Sequence, residues 1–288
     1  MVQFRNELYL QFRRNSVNDS TDCQSPKLIW ARQDIEQRIG VKGLPFTRVR
    51  GWLSAVIALV MTVGTYMLLV ASGRNFLSDM FLIRGFTPYI MVFFSYWAIV
   101  ILLFKGSKLR LQKKALALTV IPQATEFVLS IVTVQSVMKR LYDVADDPKR
   151  FMLFNRILVA LTNLKNLGRV TDVGEMLRIR AEHDESIVET SYSLLKSLVW
   201  AIPILGFIGT VEGLSTAIGG FGRVLNETQD PAQLIDALKL VTGGLATAFE
   251  TTLVALIAAL GIQMSISMLK KQEKSSSMTV TNTAISTL

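Results

Sequence analysis

Cysteine and histidine are almost missing from this chain of 288 residues, with one of each, Cys23 and His183. A single cysteine excludes a disulfide framework or a thiolate metal cluster within one chain. One histidine among scattered acids, in the run AEHDES, does not make a transition-metal site, so no metal is expected. No Ser-His or Cys-His pairing has the context of a nucleophile and its base, which argues against an enzyme and against a cofactor. Before residue 51 there is no apolar segment ending in a small-residue cleavage site, so the sequence predicts no cleaved signal peptide. The net charge of +9 comes without an aromatic-interleaved basic patch or a nucleic-acid module, and no nucleic acid is expected as a partner.

Apolar runs are what the chain has in excess. Half of its residues are hydrophobic and its mean hydropathy is +0.39. Four runs reach the roughly 20 residues needed to cross a hydrocarbon layer. They place spans at about 52–71, 86–104, 198–220 and 241–269. The expected fold is therefore all-α, a polytopic helical membrane protein with four transmembrane helices and a helical cytoplasmic domain. Of the 31 Lys and Arg residues, only Arg74, Arg84, Arg223 and Lys239 fall in the two short connections. The positive-inside rule then puts both termini and the large middle segment in the cytoplasm. The chain divides into five regions: an N-terminal arm (1–50), a transmembrane hairpin (51–104), a helical cytoplasmic domain (105–197), a core of two spans (198–269) and a cytoplasmic tail (270–288).

Within the arm, NSVNDSTDCQSP reads as flexible, and KLIWARQDIEQRIG as a short amphipathic helix ended by Gly40 and lying on the anionic lipids of the inner leaflet, the alternative being a disordered tail with no role. The first hairpin has no acid or base inside it and is expected to pack outside the core. The patch LALTVIPQATEFVLSIVTVQSVM is interrupted by Pro122, Gln123 and Glu126, so it reads as a buried cytoplasmic helix. A fifth span would also carry the basic KKQEK tail to the outside. Asp147 before Pro148 marks a helix start, and Phe151, Phe154, Leu158, Leu161 and Leu164 recur on one face of that helix. Asp172 and Glu175 are spaced as a capping box, after which no breaker appears until Ile202. One unbroken helix from the cytoplasm into the membrane is expected, interrupted at Pro203 just inside the bilayer. A separate surface helix after Asp230-Pro231 and a disordered tail after Leu269 complete the reading.

The third and fourth runs carry groups that a bilayer normally excludes. Steps of three or four from Pro203 give Gly206, Thr210, Gly213 and Ala217, a stripe of small residues that lets helix backbones approach closely, with Gly209 beside it. The same arithmetic aligns Gly243, Thr247, Glu250, Thr251 and Val254 on the next helix, with Gly244 adjacent. A carboxylate at that depth costs about 2.5–3.5 kcal/mol, so Glu250 is expected to face protein or water, and an intramembrane acid is by default a functional candidate. The plainer alternative is that Glu250 only hydrogen-bonds a neighbouring helix. Glu212 lies about 200° round the helix from Thr210 and is expected at a subunit or helix interface.

At GFIGTVEG and LATAFETT the sequence resembles the MotA/TolQ/ExbB proton-channel family, over roughly residues 195–270. The resemblance implies that Thr210 and Thr247 correspond to pore-lining threonines and Pro203 to the proline that opens the third span. The family's usual acid, some five residues before the second threonine, is replaced by Thr242, which leaves Glu250 and Glu212 as the acids of these helices. It further implies a ring of five subunits around two helices of a single-span ExbD/TolR/MotB-like partner, whose aspartate takes the proton. The expected ion-pathway residues are thus Thr210, Thr247, Glu250 and Thr251. A passive ion channel or transporter and a structural membrane scaffold are the competing readings.

Overall fold

The computed structural model describes residues 35–38, 40, 43–44, 46–73, 81–82, 85–116, 131–167, 171–227 and 231–287. Apart from a single helical turn, Ile35–Arg38, they form seven α-helices: α1 (Gly51–Ala71), α2 (Thr87–Leu116), α3 (Ile131–Val144), α4 (Met152–Leu167), α5 (Thr171–Thr190), α6 (Ser193–Glu227) and α7 (Pro231–Thr287). The fold is all-α, and four of its helical stretches are long and apolar enough to cross a membrane. Two of them are α1 and α2. The third is α6 together with α5, and the fourth is α7.

α1 and α2 form a hairpin, and α2 in turn packs on both α6 and α7. Trp97 on α2 donates to the Ser54 hydroxyl of α1 at 3.0 Å, and Tyr66 stacks on Tyr89. The Trp97–Ser54 bond pairs polar groups that lipid would leave unsatisfied. The opposite face of α1 exposes Val56, Leu59, Val60, Met67 and Leu68, as expected of a helix bordered by acyl chains. Two larger cores lie on either side of the boundary where α2 turns basic. Among α2, α6 and α7 the core is Met91, Ala98, Ile101, Leu195, Leu198, Ile202, Ala255, Ala259, Ile262 and Ile266. Beyond it a polar-end bundle closes over Phe151, Phe154, Ile157, Leu161, Val137, Leu141 and Val280. The amphipathic face expected after Asp147 is buried there at Phe151, Phe154, Leu158 and Leu161, whereas the side chain of Leu164 lies outside the described residues.

Several expected boundaries move. Pro148–Arg150 form a 3₁₀ turn and α4 starts only at Met152. Gln112 supplies the junction, accepting from Met152 N and donating to Arg150 O, both at 2.9 Å. Pro203 does not end a helix, because α6 runs through it to Glu227. The break falls instead at Ser191 and Tyr192, where the Ser191 hydroxyl turns back onto Val188 O and competes with the backbone ladder. Pro231 opens α7 itself, so there is no separate surface helix, and the tail expected to be disordered is helical as far as Thr287. Gly40 adopts φ +85°, which suits the helix end expected there. Residues 27–34 of that helix, 117–130 of the interrupted patch and the side chain of Asp172 lie outside the described residues.

Candidate functional site

Among the described residues α6 and α7 make the most extensive contact, and small residues set its distance. A Cβ added at Gly206 would stand 2.5 Å from Ala255 Cβ, and one at Gly244 would stand 2.7 Å from Ala217 Cβ. Between these points Gly213 faces Ala248 at 3.4 Å. Along α7 the stripe turned to α6 is thus Gly244, Ala248, Thr251 and Ala255. It shares Thr251 with the Gly243, Thr247, Glu250, Thr251 and Val254 face expected from the sequence but is otherwise rotated from it by one residue, about 100°. Gly243 lies exposed with open space around it. The reason is volume: only the Gly244 line lets the backbones approach as closely as Gly206 requires.

Hydroxyls cross this seam at one level. Thr252 donates to Gly206 O at 3.0 Å and shares a hydrogen bond with Thr210, whose hydroxyl also lies 3.1 Å from Gly206 O and 3.2 Å from Ala248 O. Thr251, buried next to them, donates to Ala248 O at 2.8 Å. Thr210 and Thr251 are therefore brought together, and Thr252 joins them although its position suggests no role in the sequence. A Thr-Thr pair on a helix of small residues is the available signal, since one of two adjacent hydroxyls must face the partner whichever way the helix turns. Thr247 sits on α7, but its side chain lies outside the described residues. Glu250 is half-buried on the face next to the seam, and Thr242 is exposed, its hydroxyl bonding back to its own helix.

Gly209 marks where a third helix arrives, since its Cβ would lie 3.5 Å from both Thr251 Oγ1 and Thr87 Cγ2. One turn on, Glu212 accepts from the Thr87 hydroxyl at 2.8 Å. Thr87 is the first residue of α2, so the carboxylate sits at a helix N-terminus, where unpaired amides and the helix dipole favour a negative charge. Glu212 thus lies at an interface between helices of one chain.

Below the threonines the α6–α7 seam is apolar, lined by Ile202, Ala255, Ala259, Ile262 and Ile266. Polar groups return only at Glu273, which is buried and accepts from Tyr192 OH at 2.6 Å and from the Thr47 hydroxyl. Among the described residues the seam of one chain therefore offers no continuous line of hydroxyls and carboxylates from Thr210 to Glu273. Among the described residues no group of three or more His, Cys, Asp or Glu could hold a metal ion.

A sequence model of the MotA/TolQ/ExbB proton channel family matches residues 133–282. The matched region begins well before the resemblance at residues 195–270 and takes in α4 and α5 as well as both helices of the seam. No curated protein and no solved structure gives a significant match. With more than half of its length matched, including the whole of the α6–α7 seam, the chain belongs to the MotA/TolQ/ExbB proton channel family.

Proposed function

We propose that the chain is a subunit of a proton-motive-force-driven motor complex of the bacterial inner membrane, in which ion flow past α6 and α7 is coupled to mechanical work. The observation that carries this reading is the α6–α7 pair, which holds the Thr210–Thr252 hydroxyls and, on the adjoining half-buried face, Glu250. A scaffold would need the close packing but not an acid at that depth. Because the seam below the threonines is apolar, the ion route leaves the seam hydroxyls of Thr210 and Thr251 for the adjoining outer face of α7, past Thr247 and Glu250, between this chain and its partner. That partner is a single-span ExbD/TolR/MotB-like protein whose aspartate accepts the proton, held at the centre of five copies of this chain. Glu250 supplies polarity next to it in place of the acid that Thr242 displaces. Each proton moved down 100 mV releases about 2.3 kcal/mol for this work. The Lys and Arg residues at the ends of the spans orient both termini to the cytoplasm.

Native mass spectrometry of the detergent-extracted complex tests the assembly. Five copies with a small single-span protein are expected, and a complex without a second protein would favour a passive channel. In proteoliposomes holding the complete complex, Thr247→Val and Glu250→Gln are each expected to lower proton flux without loss of assembly. Wild-type flux in Glu250→Gln would reduce that carboxylate to a packing group.

A further inference from the structure

The sequence from Met176 to Ile202 contains no helix breaker, yet α5 ends at Thr190 and α6 begins at Ser193. Side chains of other helices make the interruption. In an unbroken helix the Tyr192 N–H would bond to Val188 O, four residues back. That carbonyl instead accepts the Ser191 hydroxyl at 2.5 Å, and Tyr192 N turns to Glu189 O at 3.1 Å, a 3₁₀ step. A hydroxyl has one proton to donate. Lys105 Nζ, on α2, donates to Ser191 Oγ at 2.8 Å, so the proton of that hydroxyl must point elsewhere, and Val188 O receives it.

The next residue is held from the same place. Tyr192 is fully buried, its OH donates to Glu273 Oε2 on α7 at 2.6 Å, and Lys105 Nζ rests 4.1 Å over its ring. Lys105 and Glu273 themselves stand 3.7 Å apart, 1% and 3% exposed, as a buried ion pair that joins α2 to α7. One pair of charges thus grips two consecutive residues of a third element. It does so where the core among α2, α6 and α7 gives way to the polar-end bundle.

We propose that the α5–α6 break is a joint set by the Lys105–Glu273 pair. One arrangement is the broken helix of the structure, and the other is the continuous helix that the local sequence specifies. While the pair is seated on Ser191 and Tyr192, the break holds. When α2 and α7 slide along α6, the pair moves as a unit, still closed, and leaves both residues. The Ser191 hydroxyl then turns away from Val188 O, which takes the Tyr192 N–H, and α5 and α6 run on as one rod. Helix propagation favours this second arrangement, and the contacts with the pair favour the first. The joint converts a shift of α2 and α7 against α6 into a change of direction between the membrane helices and the polar-end bundle. It does not rest on the ion route.

Hydrogen–deuterium exchange of the full-length protein in detergent tests the joint by the sign of the effect. Ser191→Ala removes the competing hydroxyl, and the backbone bond gained is expected to slow exchange across residues 191–196 by about two- to tenfold. Ser191→Thr keeps a hydroxyl and is expected to exchange as wild type. Lys105→Met combined with Glu273→Leu removes both charges together, so that neither is stranded, and is expected to slow the same residues while α4 keeps its wild-type exchange. Contacts that only stabilise the fold would give the opposite sign, faster exchange at 191–196 when they are deleted. Faster or unchanged exchange in Ser191→Ala overturns the joint, and slowing in Ser191→Ala without slowing in the double variant overturns its control by the pair.

Discussion

Replacing Gly206 by alanine probes the seam at its narrowest point. The new Cβ would lie 2.5 Å from Ala255 Cβ, 3.3 Å from Thr252 Cα and 3.6 Å from Thr251 O. Carbon atoms pack best at about 3.5–4.0 Å, so the helices must part by about 1 Å there. A gap of that size forfeits about a quarter to a half of each contact it touches, and overfilling of this kind costs about 1–3 kcal/mol. The Thr252 bond to Gly206 O, now 3.0 Å, would stretch out of range, at about 1 kcal/mol more. Against this stands the better helix propensity of alanine, about 1 kcal/mol. A net loss of about 1–3 kcal/mol is expected. Gly213→Ala meets Ala248 Cβ at 3.4 Å and should be near neutral, and Gly219→Ala meets nothing within 4 Å and should stabilise slightly. Thermal unfolding in detergent should therefore rank position 206 well below 213, and 213 below 219. Adding Ala255→Gly removes the obstructing methyl and should restore most of the loss at 206. If Gly206→Ala melts with Gly219→Ala, or Ala255→Gly rescues nothing, the two helices do not meet as described.

Two further outcomes are expected. In intact cells, Cys23 and a cysteine at His183 should be shielded from an impermeant thiol reagent while one at Gln229 is labelled, and labelling at 183 would reverse the orientation of the chain. Arg156 and Asp184 form a buried pair at 2.8 Å, so Asp184→Asn, which strands the Arg156 charge, should cost about 3–5 kcal/mol in detergent unfolding. Replacing both by leucine should recover most of that, and equal stability of Asp184→Asn and wild type would show the pair to be exposed to water.

The spans are legible in the sequence because each is a run of the length a bilayer demands, and the stripe on α6 because Gly206, Thr210, Gly213 and Ala217 keep helical spacing. The matching face of α7 is harder to choose, since Gly243 and Gly244 are adjacent and both start small-residue lines. Only the approach of Gly206 to Ala255 selects one of them. The tail departs from its expected disorder for a different reason. Its Ser and Thr residues are poor helix formers in isolation, but Glu273, Ser277 and Val280 each reach a buried partner in the arm or the polar-end bundle. A heptad signal is present in Ala259, Ile266, Glu273 and Val280, disguised by an acid at one of its positions. The break at Ser191 carries neither Gly nor Pro and depends on contacts from Lys105 and Tyr192 that no local pattern encodes.

α7 is one uninterrupted rod of 57 residues, about 85 Å from end to end at 1.5 Å per residue. Its tightest point of contact, Ala255 against Gly206, lies some way along it and makes a natural fulcrum. The arm below that point, down to Thr287, is about 48 Å long, so a tilt of about 5° displaces the lower end by about 4 Å. The fulcrum is made of a glycine and a methyl, which permit rocking with little steric resistance. Leverage is therefore built into the helix itself: a shift of less than an ångström beside the threonines reaches the polar end multiplied.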